Sequence, residues 1–421
     1  MERITATYFI ETPLEVEKAA AVLAGEQSSG TFVAVPGETD ELKQRFAARV
    51  ESISHQETVT ESAIPGARAS SGLFHRAMIE VSWSIENFGY NLPVLISTLQ
   101  GNLYELTQFT GLKLMDLDVP PSFAQHFHGP CFGIEGCRRL TSVADRPLIG
   151  TIIKPSIGLS PEQTAALVQT LVGAGIDFIK DDELLSSSAN SPFDKRVDAI
   201  MRVINDHADK TGKKVMYAFN ISDDTDAMLR NYEKIVSAGG TCAMISLNSV
   251  GLSGVKKICD QGQLAIHGHR NGWGMLNRHP LLGIEFPAYQ KLWRLAGVDQ
   301  IHVNGIQNKF WESDDSVVRS IEACLKPMLG GYSILPVVSS GQWGGQAPET
   351  YRRTQTVDLL YMAGGGIMAH PEGPAGGVVA LQQAWQAAVE GLSIEEAAQQ
   401  YPQFAQSVVK FGKMDKIKNV Q

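Results

Sequence analysis

The sequence has too few cysteines, too irregularly placed, to build a disulfide framework. Its 5 cysteines are odd in number, widely scattered and without CxxC spacing, which also argues against a structural zinc site. We interpret them as reduced residues of a hydrophobic core: Cys131, Cys137, Cys242, Cys259 and Cys324.

Long apolar runs and an excess of positive charge are also lacking. No stretch of about 18 uninterrupted apolar residues occurs, and the segment Met1 to Thr5 lacks a basic region followed by an apolar run. We therefore expect a cytoplasmic protein that does not enter membranes. The net charge of -9 argues against general nucleic-acid binding, so an anionic substrate would have to meet a locally basic pocket.

The chain has enough apolar residues for a large core, since 43% of its 421 residues are hydrophobic. From about Leu148 onward, short apolar runs recur with helical patterns between most of them. Eight buried strands that alternate with helices predict a closed parallel (β/α)8 TIM barrel. The runs are Leu148 to Ile153, Ile176 to Ile179, Val215 to Phe219, Cys242 to Leu247, Leu264 to His267, Gln300 to Val303, Ile334 to Val338 and Leu359 to Ala363.

One helix start is marked clearly. Ser160, Pro161 and Gln163 supply an N-cap, a proline at the first helical position and a capping-box glutamine.

Before the predicted barrel, the predicted strands and helices do not alternate regularly. Arg3 to Ile10, Thr31 to Val35 and Met78 to Ile85 are predicted strands, and Leu14 to Leu23 is a predicted amphipathic helix. We predict a small α+β, ferredoxin-like domain over residues 1–125. The barrel with the active site is expected over residues 126–390, and a C-terminal helical extension and tail over residues 391–421.

A lysine and three carboxylates follow one another at Lys180 to Glu183, where the predicted buried strand that includes Asp177 ends. Because strand side chains alternate, Lys180 and Asp182 should point the same way, while Glu183 lies at the start of a loop. Such oxygen ligands suit a hard cation such as magnesium, although the lysine would first have to lose its charge. The cluster also fits a surface salt-bridge group, and the residues alone leave both interpretations open.

Polar residues end the predicted strands, and in a barrel enzyme these ends form the active-site face. His267 and His269 are two apart and share a face, Arg270 follows them, and His302 ends the sixth run. Single histidines are often structural, but three beside an arginine at one barrel mouth favour an anion-binding or acid–base role. Two histidines before the barrel are interpreted as structural: His126 and His128.

Glycine-containing turns follow the seventh and eighth runs, at Ser339 to Gly341 and Gly364 to Gly366. Loops in these places bind phosphate through backbone N–H groups in many barrels, although glycine turns also occur for conformational reasons alone. The polar loop Val303 to Lys309 fits a mobile lid that carries one positive charge. An ordinary solvated loop fits the same residues.

These residues, in this order, resemble the large subunit of ribulose-bisphosphate carboxylase (RuBisCO), from about Glu26 to Gly377. The resemblance implies that Lys180 is carbamylated and binds magnesium together with Asp182 and Glu183. The segments that carry it are Gly150 to Pro155, Asp177 to Glu183, His267 to Arg270, Lys309 and Gly364 to Gly366.

The resemblance also implies roles for other residues. Lys154 would transfer a proton beside the enediolate, with His269 close to it. One anionic end of the substrate would be held by Arg270, His302 and Ser339, and the other by Thr31, Gly341, Gly364 and Gly365. The N-terminal domain of a second subunit would contribute Glu26, Thr31 and Asn102, with Glu26 pairing the closed-lid Lys309, so that the functional unit would be at least a homodimer.

Some residues depart from the carboxylase pattern. Ser156 stands where the carboxylases have a second lysine, Ile152 where they have a threonine, and Trp273 where they have a histidine. Phe32 replaces a tryptophan, and the lid reads Asn304-Gly305 in place of Gly-Thr. Because the metal and phosphate groups are kept, the chain resembles a form IV RuBisCO-like protein that still forms an enolate.

The resemblance therefore implies a magnesium-dependent enzyme that forms an enolate from a phosphorylated sugar derivative without net fixation of carbon dioxide. The lid Lys309 and the Lys154-Pro155 pair favour C–C bond chemistry, decarboxylation or cleavage, on a branched β-keto sugar-acid phosphate of the apionate type. The alternatives are an enolase or isomerase of the methionine-salvage type, a true carboxylase, and a non-catalytic relative that binds a phosphorylated ligand.

Overall fold

The computed structural model describes residues 2–29 and 35–418. Thr31 and Phe32, and with them most of the strand expected at Thr31 to Val35, lie outside these residues. The chain forms two compact units. The N-terminal unit comprises Met1–Gly129, Gly272–Ala296 and Met328–Gly331, and the barrel unit comprises Pro130–Asn271, Gly297–Pro327 and Tyr332–Gln421.

The strands of the described residues, in chain order, are β1 (Arg3–Thr12), β2 (Arg49–Val59), β3 (Phe74–Ser84), β4 (Gly111–Asp118), β5 (Leu148–Ile152), β6 (Phe178–Lys180), β7 (Met216–Asn220), β8 (Cys242–Ser246), β9 (Ala265–His269), β10 (Leu282–Ile284), β11 (Gln300–His302), β12 (Leu335–Val338) and β13 (Leu360–Met362).

The α-helices are α1 (Val16–Glu26), α2 (Asp40–Phe46), α3 (Leu92–Gln100), α4 (Gly133–Thr141), α5 (Pro161–Gly173), α6 (Phe193–Thr211), α7 (Thr225–Ser237), α8 (Leu247–Val250), α9 (Leu252–Cys259), α10 (Trp273–Asn277), α11 (Phe286–Ala296), α12 (Asp314–Leu325), α13 (Ala347–Thr354), α14 (Gly365–Met368), α15 (Gly373–Glu390), α16 (Ile394–Gln400) and α17 (Pro402–Lys418). Short 3₁₀ turns occur at Ile85–Asn87, Asn102–Glu105, Pro121–His126 and Gly344–Gln346.

The N-terminal unit is built on a five-stranded mixed sheet with the order β10-β4-β1-β3-β2. Strand β1 pairs antiparallel with both β3 and β4, and its buried residues alternate with partly exposed ones, as expected for a sheet that packs on one face. The core face of β1 presents Ile4, Ala6, Tyr8 and Ile10, which are fully buried. The α+β fold predicted for this part of the chain is confirmed.

The fifth strand of this sheet comes from a distant part of the sequence. Strand β10 pairs parallel with β4, beginning at Leu282 opposite Leu112. Lys113 fastens the same segment, since its Nζ donates to the carbonyls of Asn277 and His279, at 3.0 Å each, and lies 2.8 Å from Glu285 Oε1. The segment 272–296, which the sequence analysis placed within the barrel, therefore groups with the N-terminal unit.

The barrel unit contains a closed parallel barrel with the strand order β11-β12-β13-β5-β6-β7-β8-β9. Each of the eight apolar runs overlaps one of these strands, so the predicted (β/α)8 barrel is confirmed. Buried side chains fill its interior, among them Phe178, Met216, Met244 and Val337. Because the strands are parallel, their carboxyl ends all open on one face.

Buried aspartates fasten neighbouring barrel strands at the opposite face. Asp299 directly precedes β11 and accepts hydrogen bonds from the backbone N–H groups of Phe132 (2.6 Å), Gly133 (2.9 Å) and Ile266 in β9 (2.8 Å). Asp177, which precedes β6, accepts a backbone N–H from β5 in the same way. One side chain thus satisfies amide groups that the strand ladder cannot reach.

The helix predicted after Ser160 is α5, and its capping box is present. The backbone N–H of Gln163 donates to Ser160 Oγ at 3.2 Å, and the backbone N–H of Ser160 donates to Gln163 Oε1 at 2.9 Å. Beyond the barrel, α15 to α17 form the C-terminal helices. Among residues 2–29 and 35–418 we find no helix with the length and hydropathy needed to cross a membrane.

We expect Asp299→Ala to destabilise the barrel unit strongly. Three backbone donors, two of them buried, lose their acceptor, which costs about 3 kcal/mol or more, and should lower the unfolding temperature by at least about 5 °C. Differential scanning calorimetry measures this shift. The control is Asp209→Ala on an exposed turn of α6, which should change stability by less than about 0.5 kcal/mol. Equal unfolding temperatures for the two variants would show that Asp299 does not fasten these strands.

Candidate active site

Polar side chains gather where the barrel strands end, and most of the candidate residues are among them. The barrel-unit residues at these ends are Lys154 after β5, Lys180 in β6, Asn220 in β7, His267 and His269 in β9, Arg270 after β9, His302 in β11, Ser339 after β12 and Gly364 after β13.

Lys180 is almost completely enclosed at this face, with 1% of its surface exposed. Its Nζ donates to the backbone carbonyl of Asp181 at 2.8 Å and lies 3.4 Å from Met244 Sδ and 3.5 Å from Glu183 Oε2. Burial lowers the pKa of Lys180, and the neighbouring carboxylates offset this only in part. Because carbon dioxide reacts with a neutral amine, Lys180 is suited to become a carbamate.

Asp182 is held as an anion on the same side as Lys180. Its Oδ2 accepts a hydrogen bond from Lys154 Nζ at 2.6 Å, and its Oδ1 accepts one from the backbone N–H of Leu184 at 3.1 Å. Burial alone would raise the pKa of Asp182, but hydrogen bonds from Lys154, Leu184 and Ser156 lower it overall. An ionised carboxylate is the form that ligates a cation.

Asp181 belongs to a separate, fully buried network that fixes this strand end. Arg196 Nη2 donates to its Oδ2 at 3.1 Å, and both side chains are 0% exposed. Tyr217 donates its hydroxyl to Asp181 Oδ1 at 2.7 Å, and the backbone N–H of Asn220 donates to Oδ2 at 3.0 Å. Because Arg196 balances its charge, we interpret Asp181 as a residue that orients its neighbours, and Lys180 and Asp182 as the residues that face the candidate site.

The three histidines lie together at the barrel mouth and are neutral. Burial lowers the pKa of His269 to about 3, and it lowers the pKa values of His267 and His302 well below the ordinary range. His267 Nε2 lies 2.9 Å from His302 Nε2, and His302 Nδ1 lies 2.9 Å from Ser339 Oγ. His269 Nε2 is 3.4 Å from Glu183 Oε2. They act as hydrogen-bonding groups, not as cations.

Two buried residues that the sequence analysis did not single out hold this arrangement in place. Glu312 Oε2 accepts hydrogen bonds from Arg270 Nη2 at 2.9 Å and Asn304 Nδ2 at 2.6 Å, and so links Asn304, near the start of the loop after β11, to Arg270. Gln300 Oε1 lies 2.9 Å from Nδ1 of His267. Gln300 could have been recognised from the sequence, because it is a polar residue in a predicted buried strand. Glu312 could not, because it lies close to Asp314 and Asp315 in a segment whose acidic composition is typical of a surface.

The predicted lid, Val303 to Lys309, packs closely against the turn after β12. Lys309 is exposed, with its Nζ 5.2 Å from the centroid of the Phe310 ring, and its backbone N–H donates to the Ser340 carbonyl at 3.1 Å. Gly341 has a φ of +82°, and a Cβ there would lie 3.3 Å from Lys309 Cβ. Glycine at this position therefore satisfies both the backbone conformation and the approach of the lid.

Other candidates belong to the N-terminal unit. Glu26 ends α1 and Asn102 begins a 3₁₀ turn, and both are exposed. Trp273 begins α10 and is buried, packed edge-on against Phe286 with ring centroids 5.8 Å apart. Thr31 lies outside the described residues.

The structure also bears on which residues could hold a metal ion. Within the described part of the chain, no three His, Cys, Asp or Glu side chains form a metal-binding group. Asp182 and Glu183 offer two carboxylates, and a carbamate on Lys180 would add a third anionic oxygen ligand, which fits magnesium. His126 stacks on Tyr90 instead, with ring centroids 3.2 Å apart.

Comparison with known proteins identifies the family. Residues 133–411 match the family model of the ribulose bisphosphate carboxylase large chain, catalytic domain, and residues 2–123 match that of the N-terminal domain. The chain belongs to the RuBisCO large-chain family. The resemblance inferred from the motifs is thereby confirmed.

Individual relatives cover nearly the whole chain. A 3-oxo-isoapionate-4-phosphate decarboxylase of Rhizobium etli is 51% identical over 97% of this chain and 98% of its own. A 3-oxo-isoapionate-4-phosphate transcarboxylase/hydrolase of Xanthobacter autotrophicus is 53% identical over 95% and 97%. The crystal structure of a rubisco-like protein from Burkholderia fungorum superposes with a TM-score of 0.91 at 42% identity, covering 97% of this chain and all of the other. The relatives of this RuBisCO-family chain thus include enzymes that are named for reactions at C–C bonds.

The glycine turn after β13 offers a test of anion binding that is separate from folding. A Cβ at Gly365 would meet nothing within 4 Å, whereas one at Gly366 would lie 2.6 Å from the Gln342 carbonyl oxygen. We expect Gly365→Ala to fold normally but to lose much of the rise in unfolding temperature that inorganic phosphate gives the wild type. Gly366→Ala should lower the unfolding temperature without phosphate. If Gly365→Ala keeps the full phosphate effect, this turn does not bind the anion.

Proposed function

We propose that this RuBisCO-family enzyme decarboxylates 3-oxo-isoapionate 4-phosphate through an enolate intermediate. The observation that carries the proposal is the near-complete match, at about half identity, to relatives named for reactions of that substrate. The geometry supports it, because a lysine ammonium, Lys154 Nζ, lies 2.6 Å from the Asp182 carboxylate of the proposed metal site. A proton donor thus stands where an enolate would form.

The proposed cofactor is magnesium, with Lys180 carbamylated. Asp182, Glu183 and the carbamate would hold the ion, and when bound it supplies a Lewis acid for the keto oxygen beside the departing carboxylate. His269 is neutral and lies 3.4 Å from Glu183, and it would orient the Glu183 carboxylate. The lowered pKa of Lys180 supports carbamylation, since more of the amine is neutral at a given pH than in an exposed lysine.

In the proposed reaction, the bond between the α-carbon and the carboxylate breaks, and its electron pair passes to the ketone as an enolate. Carbon dioxide leaves. Lys154 then gives one proton to the α-carbon and recovers a proton from solvent, so that the net change is the uptake of one proton and the loss of carbon dioxide. The product is a phosphorylated ketose one carbon shorter than the substrate.

The substrate would be held through its phosphate and its oxygen substituents. We assign the phosphate to the glycine turns at Gly341, Gly364 and Gly365, with Thr31 contributed by a second subunit, as the family resemblance implies. The Arg270 side of the mouth, with His302 and Ser339, would bind the opposite end through directed hydrogen bonds. Lys309 on the lid would close over the substrate and exclude water.

A second candidate function is favoured by one relative. The 53% identical protein of Xanthobacter autotrophicus is named a transcarboxylase/hydrolase of the same compound. Decarboxylation and the transcarboxylase/hydrolase reaction both break a C–C bond beside the ketone. In the second reaction, however, the carboxyl carbon is retained in an organic product. The two are separated by the fate of that carbon.

We expect purified protein to release the carboxyl carbon of labelled 3-oxo-isoapionate 4-phosphate as carbon dioxide, with a shorter ketose phosphate as the only organic product. Trapped label and mass spectrometry of the products measure this. Label retained in an organic acid would support the transcarboxylase/hydrolase instead. Label incorporated from bicarbonate into ribulose bisphosphate would indicate a true carboxylase, and no turnover of any of these substrates would contradict the proposal.

The metal assignment predicts that Asp182→Asn or Glu183→Gln lowers magnesium-dependent turnover by more than about 100-fold, because each removes a charge from a hard-cation site. A 13C signal of a carbamate should appear when wild-type protein is exposed to labelled carbon dioxide and magnesium, and be missing in Lys180→Met. Asp209→Asn, on the exposed turn of α6, is the matched control. Full activity after exhaustive chelation would refute the metal site.

We also propose a homodimer in the cytoplasm, with sites completed by Glu26 and Asn102 of a second subunit. Support comes from the exposure of both residues in the N-terminal unit and from the family resemblance. If sites are shared, a Glu26→Ala protein mixed with a Lys180→Met protein should regain partial activity, because one site of each heterodimer carries neither change. No recovery under conditions shown to exchange subunits would indicate sites built within one chain.

A further inference from the structure

Ser156 contacts both Lys154 and Asp182 at the barrel mouth. It lies in the loop after β5 and is half-buried. Its Oγ accepts a hydrogen bond from Lys154 Nζ at 2.8 Å, and its side chain also hydrogen bonds to Asp182. Lys154 Nζ in turn donates to Asp182 Oδ2 at 2.6 Å. The hydroxyl, the ammonium and the carboxylate therefore form a closed triangle.

The triangle fixes the direction of the Lys154 ammonium. A lysine ammonium has three donors, and the contacts to Asp182 and Ser156 use two of them, so the direction of the third is set. With one partner alone, the ammonium could rotate about the single contact. The Lys154 side chain is 41% exposed, so packing alone constrains the stem little.

The residue type at position 156 suits this role. A hydroxyl accepts from the ammonium and donates to the carboxylate at the same time. A lysine in this place would bring a second cation against Lys154, which would repel it and compete for Asp182. Ser156 lies in a surface loop and is only half-buried, so removal of its hydroxyl does not open a cavity in the core. A loss of activity in Ser156→Ala would therefore not result from unfolding.

We propose that Ser156 is a positioning residue that aims the third N–H of Lys154 at one face of the enolate carbon. The inference rests on the proposed function. After the C–CO2 bond has broken and its electron pair lies in the enolate, the proton passes from Lys154 to carbon on that face. Lys154 is left as a neutral amine that regains a proton from solvent. Ser156 thereby determines both the rate and the stereochemistry of protonation, without touching the substrate carbon.

The test is the reaction of 3-oxo-isoapionate 4-phosphate in deuterated water, with the product analysed by NMR. Wild-type protein should place one deuterium at the carbon that lost the carboxylate, in a single configuration. Ser156→Ala should lower kcat by about tenfold, leave KM nearly unchanged, and give a mixture of configurations, because water competes with a loosely held Lys154. Ser156→Thr keeps the hydroxyl and should restore kcat and the single configuration.

The matched control is Ser253→Ala, which removes the hydroxyl of an exposed serine on α9 and should behave as the wild type. Ser156→Ala with wild-type kcat and a single product configuration would overturn the inference. So would a loss of kcat that keeps the configuration pure and is not rescued by threonine, since that pattern indicates a structural effect. A wild-type protein that does not turn over the substrate refutes the proposed function and this inference with it, an outcome distinct from the other two.

Discussion

The site depends on one electrostatic constraint, namely that a lysine amine is enclosed at the end of β6 with almost no access to water. Such a charge is costly to bury, so the surrounding groups must either balance it or let it be neutralised. Asp182 and Glu183 lie on its side, but Asp182 is also engaged by Lys154. Conversion of the buried amine into an anionic carbamate, with a divalent cation to balance the three negative groups, would satisfy every member of the cluster.

The same constraint explains the pairing of the other charges around β6. Asp181 is as buried as Lys180, yet Arg196, Tyr217 and the backbone of Asn220 satisfy it from the opposite side of the strand. Because side chains alternate along a strand, Asp181, which stabilises the fold, and Lys180, which belongs to the candidate site, point to opposite sides although they are adjacent. Neutral histidines complete the mouth, because further cations beside an uncarbamylated Lys180 would raise the cost of burial.

The sequence predicts the barrel well because each strand is buried on both faces, and such strands leave apolar runs bounded by polar ends. Strand β2 was not predicted, since nearly all its residues are exposed and Ser52 to Thr58 show no apolar alternation. Strand β10 has three residues, too few for a periodic pattern. The roles of the site residues came from motif resemblance, whereas Glu312 and Gln300 are recognisable only once distant segments bury them.

The pairing of β10 with β4 also bears on how the chain is made on the ribosome. Strand β4 is synthesised before any barrel strand, but its partner follows β9, so the edge of the N-terminal sheet stays open while five barrel strands emerge. An open edge can pair with the wrong strand. The N-terminal sheet therefore cannot be completed during translation until most of the barrel has left the exit tunnel, and the nascent chain is exposed to mispairing, and to chaperones, for that interval.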